Sequence, residues 1–155
     1  MKTSLSLVGV MVLAVGFGGC SRSQGNPSEA AAMALIQKLG GKFELDATRP
    51  DQPIVKVYLH NTAVRDADLG GLKSLTRLQN LFLGQTKLTD AALGQLRGFN
   101  QLQTLSLNGT AVTDAGLPQL GGLTNLKTLN LQETQVTTAG VAELKRKLPG
   151  LTIAH

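Results

Sequence analysis

The sequence predicts an α/β solenoid, with a short parallel β-sheet along one face and short helices along the other. The first observation behind this prediction is a self-similar unit that begins at Ile54 and recurs every 24 residues. The second is the alternation of apolar residues within each unit, followed by residues typical of helix starts. The third is a composition with 18 glycines and 3% aromatic residues, which indicates an aliphatic core interrupted by frequent turns.

Residues 1–19 have the order of a signal peptide. Lys2 precedes an apolar run from Leu5 to Phe17, and two glycines stand before Cys20. The run is shorter than the about 20 residues that a membrane-spanning helix needs. The motif "FGGC" resembles a bacterial lipobox, although Phe17 stands where Leu is commonest, and this resemblance implies that a diacylglycerol is attached to Cys20. Ordinary secretion and a retained membrane anchor are the alternatives.

Residues 20–29 are predicted to be the lipidated cysteine and a flexible tether. The stretch "SRSQGNPSE" from Ser21 to Glu29 is polar and has no periodicity. A lipid on Cys20 predicts an extracytoplasmic protein held at a membrane of the cell envelope. Ser21 is not the acid that resembles an inner-membrane retention signal, which favours the outer membrane or a membrane facing the periplasm.

Residues 30–53 are predicted to cap the N-terminal end of the solenoid with a helix and a short strand. Ala32, Leu35, Ile36 and Leu39 share one helical face, and "KFELD" follows as a strand with Phe43 and Leu45 on one side. A cap is expected because the first unit otherwise leaves a slice of its apolar core in water.

The repeat region spans residues 54–153 as about four units, which begin at Ile54, Leu78, Leu102 and Leu126. Two apolar columns recur, and these are Val57, Leu81, Leu105 and Leu129, then Leu59, Leu83, Leu107 and Leu131. Such alternation predicts short strands that stack in parallel about 4.8 Å apart, with these leucines inward. The second half of each unit, such as "TDAGLPQLGGL", predicts a short helix on the opposite face.

The unit "LQTLSLNGTAV" resembles the leucine-rich repeat pattern LxxLxLxxNxL, with Thr110 where Asn or Cys is usual. The resemblance covers about two thirds of the chain. It implies a concave face of parallel strands and a convex face of short helices, and it says little about function. Units reading "TAVTDAGL" are also similar to those of short leucine-rich repeat lipoproteins of planctomycete-type bacteria.

Threonines and aspartates recur beside the leucines. A column of inward threonines is predicted to hydrogen-bond backbone groups at the strand exits: Thr62, Thr86, Thr110 and Thr134. A second set is predicted to cap helices: Thr89, Thr113 and Thr137. Asp90 and Asp114 are placed in the first helical turn, where the helix dipole favours a negative charge. The column of Asp66, Asp90 and Asp114 offers oxygen ligands for calcium, but capping explains it without a metal, so no metal site is predicted.

The sequence favours a protein without catalytic activity. Cys20 is the single cysteine, so the chain has no intramolecular disulfide and no cysteine-rich zinc site. The two histidines are His60 and His155, and a hydrolytic enzyme, the unfavoured alternative, would depend on His60. The net charge of +5 is scattered apart from "KRK" at 145–147, which argues against nucleic-acid binding. No small-molecule cofactor is predicted.

The concave strand face is the predicted binding surface, because the core does not dictate which side chains project from it. The candidate residues are Lys56, Tyr58, His60, Asn80, Phe82, Ser106, Asn108, Asn130 and Gln132. Tyr58 and Phe82 are expected to be neighbours and to form an interface anchor. Alternatively, the tether or the N-terminal cap folds over them.

Together these features predict a lipid-anchored, non-catalytic binding module that recognises a protein partner through its concave face, with an envelope polymer as the alternative partner. The alternative from a different class is a structural envelope lipoprotein that needs no specific ligand.

Overall fold

The computed structural model describes residues 29–155. The predicted signal peptide, the predicted lipidation site at Cys20 and residues 21–28 of the predicted tether lie outside this range. Within it, no helix combines the length and the apolar character needed to cross a bilayer.

A six-stranded sheet runs the length of the described chain, and its strands lie in sequence order. The strands are β1 (Lys42–Leu45), β2 (Ile54–Tyr58), β3 (Asn80–Phe82), β4 (Thr104–Ser106), β5 (Thr128–Asn130) and β6 (Thr152–Ala154). Strands β2 to β6 are parallel, whereas β1 pairs with β2 in the antiparallel direction. The register equals the sequence repeat, because Val57 lies opposite Leu81, Leu81 opposite Leu105, and Leu105 opposite Leu129. The columns read from the sequence are therefore columns in space.

Short helical segments form the layer behind the sheet, as expected. They are α1 (Ala30–Lys38), a 3₁₀ helix (Asp66–Leu72), α2 (Asp90–Gln95) continued by a 3₁₀ turn (Leu96–Gly98), a 3₁₀ helix (Leu117–Gly122), and α3 (Thr138–Lys147). The two longer 3₁₀ segments each contain a glycine pair, and the second also has Pro118 near its start. Glycine and proline disfavour a regular α-helix, which explains why these two segments are 3₁₀ helices.

The core fills the space between the sheet and the helical layer. Both predicted apolar columns are buried, and Leu81, Leu83, Leu105 and Leu107 have 0% exposure. These columns join the inward residues of the helical segments in one cluster of apolar side chains. Burial of this aliphatic surface is the main stabilising contribution to the fold.

The inward threonines form the predicted ladder. The hydroxyl of each donates to the backbone carbonyl three residues earlier: Thr62 to Leu59 at 2.7 Å, and Thr86 to Leu83, Thr110 to Leu107 and Thr134 to Leu131 at 2.6 Å. Each bond pairs a carbonyl where the chain leaves the strand, and a buried carbonyl left unpaired there would cost about 1–3 kcal/mol. These hydroxyls have a structural role.

The aspartate column forms bonds between units that the sequence did not predict. The carboxylate of Asp90 accepts from the backbone N–H of Thr113 at 2.8 Å and from its hydroxyl at 2.6 Å, so it joins consecutive units. Asp66 makes the same two bonds to Thr89, and Asp114 to Thr137. The hydroxyl and then the amide of Thr137 hold the pKa of Asp114 below its usual value.

The placement of Asp114 in a helical turn is wrong, because the 3₁₀ helix begins three residues later at Leu117. Asp90 does begin α2, as predicted. The hydroxyls of Thr89 and Thr137 cap α2 and α3, as predicted, by accepting from the amides of Ala91 and Gly140. The hydroxyl of Thr113 instead accepts from Ala115 within a turn.

Glu29, at the boundary of the predicted tether, is 1% exposed. Its carboxylate accepts from the backbone N–H of Ile54 at 2.8 Å and so pairs the first amide of β2. Burial raises the pKa of this carboxyl above its usual value, against the opposing effect of that hydrogen bond. The side chains of Ala32 and Ile36 on α1 are buried in the core cluster.

Candidate functional site

Two aromatic rings stack on the strand face. Tyr58 on β2 lies in register with Phe82 on β3, and their ring centroids are 4.9 Å apart with an interplanar angle of 3°. Neighbouring strands lie about 4.8 Å apart, so rings in one column stack at the strand spacing. The imidazole of His60 meets Tyr58 edge-on at 6.4 Å. The predicted proximity of Tyr58 and Phe82 is confirmed, and both residues remain half-buried.

Glu44 on β1 holds this aromatic pair from the side. Its carboxylate accepts a hydrogen bond from the Tyr58 hydroxyl at 2.7 Å and lies 2.9 Å from the Lys56 ammonium. The bond from Lys56, followed by that from Tyr58, keeps the pKa of Glu44 below its usual value. In turn, the carboxylate raises the pKa of Tyr58 and of Lys56. The two predicted residues Lys56 and Tyr58 are thus linked through an acid on the preceding strand.

The sequence did not predict a role for Glu44. The alternation in "KFELD" places Phe43 and Leu45 on the inner side, which leaves Lys42 and Glu44 on the outer side. The missing information was the pairing: Glu44 lies opposite Lys56 only because β1 is antiparallel to β2. The N-terminal strand therefore flanks the aromatic pair and contacts Tyr58, and the rings keep exposed surface.

A shallow depression of about 210 Å³ lies beside Phe82, at the carboxyl ends of the strands. Its lining includes His60, Asn61, Phe82, Gly84, Ser106 and Asn108. The amide of Asn108 lies over Gly84, in the space that a Cβ at that position would need. The Asn108 Oδ1 accepts from the Ser106 hydroxyl at 2.8 Å, which fixes the amide orientation.

The structure gathers most of the predicted residues around the aromatic pair and leaves two farther along the sheet. Asn80 lies on β3 opposite Lys56. Asn130 lies on β5, and its Oδ1 accepts from the backbone N–H of Gln132 at 3.0 Å. The face is thus aromatic near β2 and β3 and lined by amides and hydroxyls towards β5.

The turns after the strands form one rim of this face. Each turn contains one residue with a left-handed backbone, with φ of 56° at Asn61, 56° at Gln85, 65° at Gly109 and 57° at Glu133. The side chain of Gln85 donates to the Glu133 carboxylate at 3.0 Å and passes over Gly109, where a Cβ would obstruct it. This link was not predicted from the sequence, because it skips one unit.

A second depression, of about 240 Å³, lies on the helical side between the 3₁₀ helix at 117–122 and α3. Acidic and basic side chains line it together: Asp114, Glu143, Arg146 and Lys147. Across residues 29–155, no group of three or more His, Cys, Asp or Glu side chains is arranged to hold a metal ion. The imidazole of His155 lies 2.8 Å from the Val136 carbonyl oxygen.

Comparisons with known proteins agree with this architecture. Residues 100–152 match a family model described as leucine-rich repeats in two copies. A leucine-rich repeat protein of Leptospira interrogans matches with a TM-score of 0.50 and 21% identity, over 68% of this chain and 26% of that chain. No curated protein sequence matches the chain.

Two other solved structures match different shares of this chain. An internalin of Listeria monocytogenes matches with a TM-score of 0.44 and 23% identity, over 64% of this chain and 34% of that chain. The leucine-rich repeat ectodomain of the receptor kinase SOBIR1 from Arabidopsis thaliana matches with a TM-score of 0.43 and 14% identity, over 84% and 92%. The chain therefore spans about a quarter of the length of the Leptospira protein and about a third of the length of this internalin.

The fold is a leucine-rich repeat solenoid. The parallel sheet in repeat register and the matched repeats at 100–152 establish this class, and the Leptospira structure shares the fold.

Proposed function

We propose that this chain is a non-catalytic binding module that captures another protein on its concave strand face. The stacked pair of Tyr58 and Phe82, held by Glu44, is the observation that carries the proposal. Half-exposed aromatic rings fixed on a rigid sheet lose little conformational freedom on binding, and aromatic residues are enriched among the side chains that dominate interfaces. Uncharged polar residues such as Ser106 and Asn108 supply the surrounding hydrogen-bonding surface.

The test is capture of partners from the native envelope by crosslinking and pull-down with the full chain. Truncating an anchor of this kind typically costs at least 1–2 kcal/mol, so the Tyr58→Ala/Phe82→Ala variant is expected to lose about tenfold or more in capture. A Glu143→Ala/Arg146→Ala variant on α3 is the matched control, and it should capture normally. Unchanged capture by a folded Tyr58→Ala/Phe82→Ala protein would instead favour a structural envelope component without a specific ligand.

We also propose that the protein is an extracytoplasmic lipoprotein, anchored to the outer membrane or a membrane facing the periplasm through a lipid on Cys20. The order of charge, apolar run and "GGC" in the first twenty residues supports this proposal. Metabolic labelling with a fatty acid should mark the full chain and the Ser21→Ala control, but not the Cys20→Ser variant. Label on the Cys20→Ser protein would refute attachment at that residue.

Finally, we propose that α1 and β1 form the N-terminal cap of a solenoid of four 24-residue units. Supporting observations are the burial of Ile36 with the core and the antiparallel pairing that ends the parallel sheet at β2. Ile36→Ala should lower the free energy of unfolding by about 2–5 kcal/mol, whereas Gln37→Ala on the exposed side should change it by less than about 0.5 kcal/mol. Equal effects would contradict the cap.

A further inference from the structure

We propose that the edge of the solenoid where the strands begin lies against the anionic phospholipid surface of the membrane. This inference rests on the proposed attachment through Cys20 and assigns the side of the molecule that faces the lipid. Six exposed cations lie at this edge, which we call the basic edge: Lys73, Arg97, Lys127, Lys145, Arg146 and Lys147.

The repeat brings these cations together. In each unit the chain passes from a helical segment to the next strand at this edge, and register equals period, so one position of the unit recurs along it. Lys73, Arg97 and Lys145 hold such a position in the first, second and fourth units. Gly121 holds it in the third, and the stem of Lys147 crosses there, because its Cδ lies 3.4 Å from where a Cβ on Gly121 would stand. Every unit therefore presents a cation.

These cations are unpaired, whereas acids near them are engaged. Residues 29–155 contain three ion pairs, which are Arg49 with Asp46, Arg77 with Asp51, and Lys56 with Glu44. None of the six cations takes part in an ion pair within that range. Arg97 donates to the neutral side chain of Gln119 and so keeps its charge. The basic edge thus carries positive charge that no described acid pairs with.

The acids of the helical layer lie towards the opposite edge. Asp66 and Asp90 begin their helical segments, which follow the carboxyl ends of the strands. Glu143 is the one acid of α3 and precedes the cations of its last turn. The helix dipole favours those cations, but it does not account for Lys127, which directly precedes β5. The separation of charge therefore extends beyond one helix.

The chain that leads to Cys20 joins the molecule at the basic edge. The Glu29 carboxylate accepts from the backbone N–H of Ile54, the first residue of β2, at 2.8 Å. Helix α1 therefore begins where the strands begin, and it ends at the other edge, where Gly41 lies close to the Tyr58 carbonyl oxygen. A lipid on Cys20 would draw the basic edge towards the bilayer.

A phospholipid surface suits cations that are spread along an edge. Each Lys or Arg near an anionic leaflet strengthens binding by about fivefold, and a polybasic patch adds to the hold of an acyl chain. Proteins that bind single-stranded nucleic acid add aromatic platforms for the bases. Phe99, close to Arg97 in the chain, is buried, and Tyr58 and Phe82 lie on the strand face instead. The basic edge therefore favours lipid headgroups over nucleotide bases.

The experiment measures partition of the full chain into vesicles by flotation. One set of vesicles is pure phosphatidylcholine, and the other is an equal mixture of phosphatidylcholine and phosphatidylglycerol. The ratio of the two partition coefficients cancels binding through the apolar N-terminal residues, which is common to both. The parent protein should favour the anionic vesicles by about fiftyfold or more at low ionic strength, and about 0.5 M salt should reduce this preference at least fivefold. No preference, or one that salt leaves unchanged, would overturn the inference.

Two variants of equal net charge test the position of the cations. The first neutralises three lysines of the basic edge: Lys73→Gln/Lys145→Gln/Lys147→Gln. The control neutralises three exposed lysines at the end of α1, opposite Tyr58 and in the turn after β3: Lys38→Gln/Lys42→Gln/Lys87→Gln. The first should lower the ratio by about tenfold or more and the control by less than about threefold, with circular dichroism spectra like that of the parent. Equal losses would assign the preference to net charge and overturn the basic edge.

Other ligands are outcomes of the same comparison. If duplex DNA binds the parent more tightly than the anionic vesicles do, and the first variant loses that binding, the edge binds nucleic acid and the membrane assignment is wrong. Fatty-acid labelling separates this inference from the attachment at Cys20. Normal labelling with a ratio that does not depend on the basic edge refutes the inference alone. Absence of label with a ratio that does depend on it refutes the attachment and supports the lipid-binding edge.

Discussion

The two faces of the same strands follow different rules. Their inner face repeats one chemistry, with Val57, Leu81, Leu105 and Leu129 all at 0% exposure. Their outer face changes at every strand, from Tyr58 and Phe82 to Ser106 and Asn130. Packing restricts the inner positions to aliphatic side chains, while the outer positions are restricted only by solubility and by what they contact. Regular columns therefore report the fold, and the irregular column is where recognition is to be sought.

The largest difference in stability should appear between alanine substitutions on the two faces of one strand. Leu105→Ala removes part of a fully buried side chain and should lower the free energy of unfolding by about 2–5 kcal/mol. Ser106→Ala, its neighbour on the outer face, loses one half-buried hydrogen bond and should cost below about 1 kcal/mol. Urea unfolding followed by circular dichroism measures both. Equal losses would break the distinction between the faces.

A smaller loss is expected at the aspartate bridges. Asp90→Ala removes both acceptors for Thr113 and should cost about 1–3 kcal/mol in the same urea assay, while Glu143→Ala on α3 should change stability by less than about 0.5 kcal/mol. Calcium should leave the Tm of the parent protein unchanged, since the carboxylate is already engaged by threonine. A calcium-dependent rise in Tm that Asp90→Ala abolishes would restore a metal role for this column.

Glu29 should make stability fall as the pH rises. Its native pKa lies above the ordinary value of 4.5, so the folded state holds the proton more tightly and loses stability as the pH climbs from 4.5 through the native pKa. Glu29→Gln keeps an acceptor for Ile54 and removes this titration. In urea unfolding between about pH 4 and pH 8, the free energy of unfolding of the variant should increase relative to that of the parent as the pH rises. A difference that is constant with pH would contradict this assignment.

The depressed carboxyl pKa values act in the opposite direction and at lower pH. Glu44, Asp46 and Asp114 are each stabilised as carboxylates in the folded state, so their contribution is lost as the pH falls through their native pKa values. The parent protein and the Glu29→Gln variant both contain these groups. Their contributions therefore cancel in the difference between the two free energies of unfolding.

The smallest effect is expected at the hydrogen bond between Tyr58 and Glu44. It is measured by spectroscopic titration of Tyr58. Tyr58 is the one tyrosine of the chain, which has no tryptophan, so the phenolate absorbance reports Tyr58 alone. The hydrogen bond to Glu44 raises the pKa of Tyr58 above 10.0. Glu44→Gln should bring it back towards that value, and Glu143→Gln should leave it unchanged. If both variants titrate like the parent, Glu44 does not position Tyr58.

Much of the fold could be predicted from the sequence because each unit of a solenoid repeats the same local interactions. The Thr110 hydroxyl finds the Leu107 carbonyl within its own unit, three residues away, and the same bond recurs at Thr62, Thr86 and Thr134. The stacking of Tyr58 on Phe82 also follows from the repeat, because register equals period. Contacts that depend on one unit, or on one column, were therefore predictable.

The hydrogen bonds of the aspartates were not predicted because their partners lie in another unit. Asp90 and Thr113 are 23 residues apart, and the aspartate reaches the threonine of the following unit only once the two turns stack. Within one unit, helix capping is the role available to these acids. A search for pairs one period apart would have revealed the alternative.

The sequence by itself determined the solenoid, its inward columns and the identity of the exposed aromatic column. These follow from periodicity, since burial selects the same residue type at the same place in every unit. Only the tertiary structure decided which neighbours those exposed residues have. Glu44 reaches Tyr58 through an antiparallel pairing, and Gln85 reaches Glu133 across Gly109. These contacts join residues that do not recur in every unit. The repeat period therefore cannot predict them.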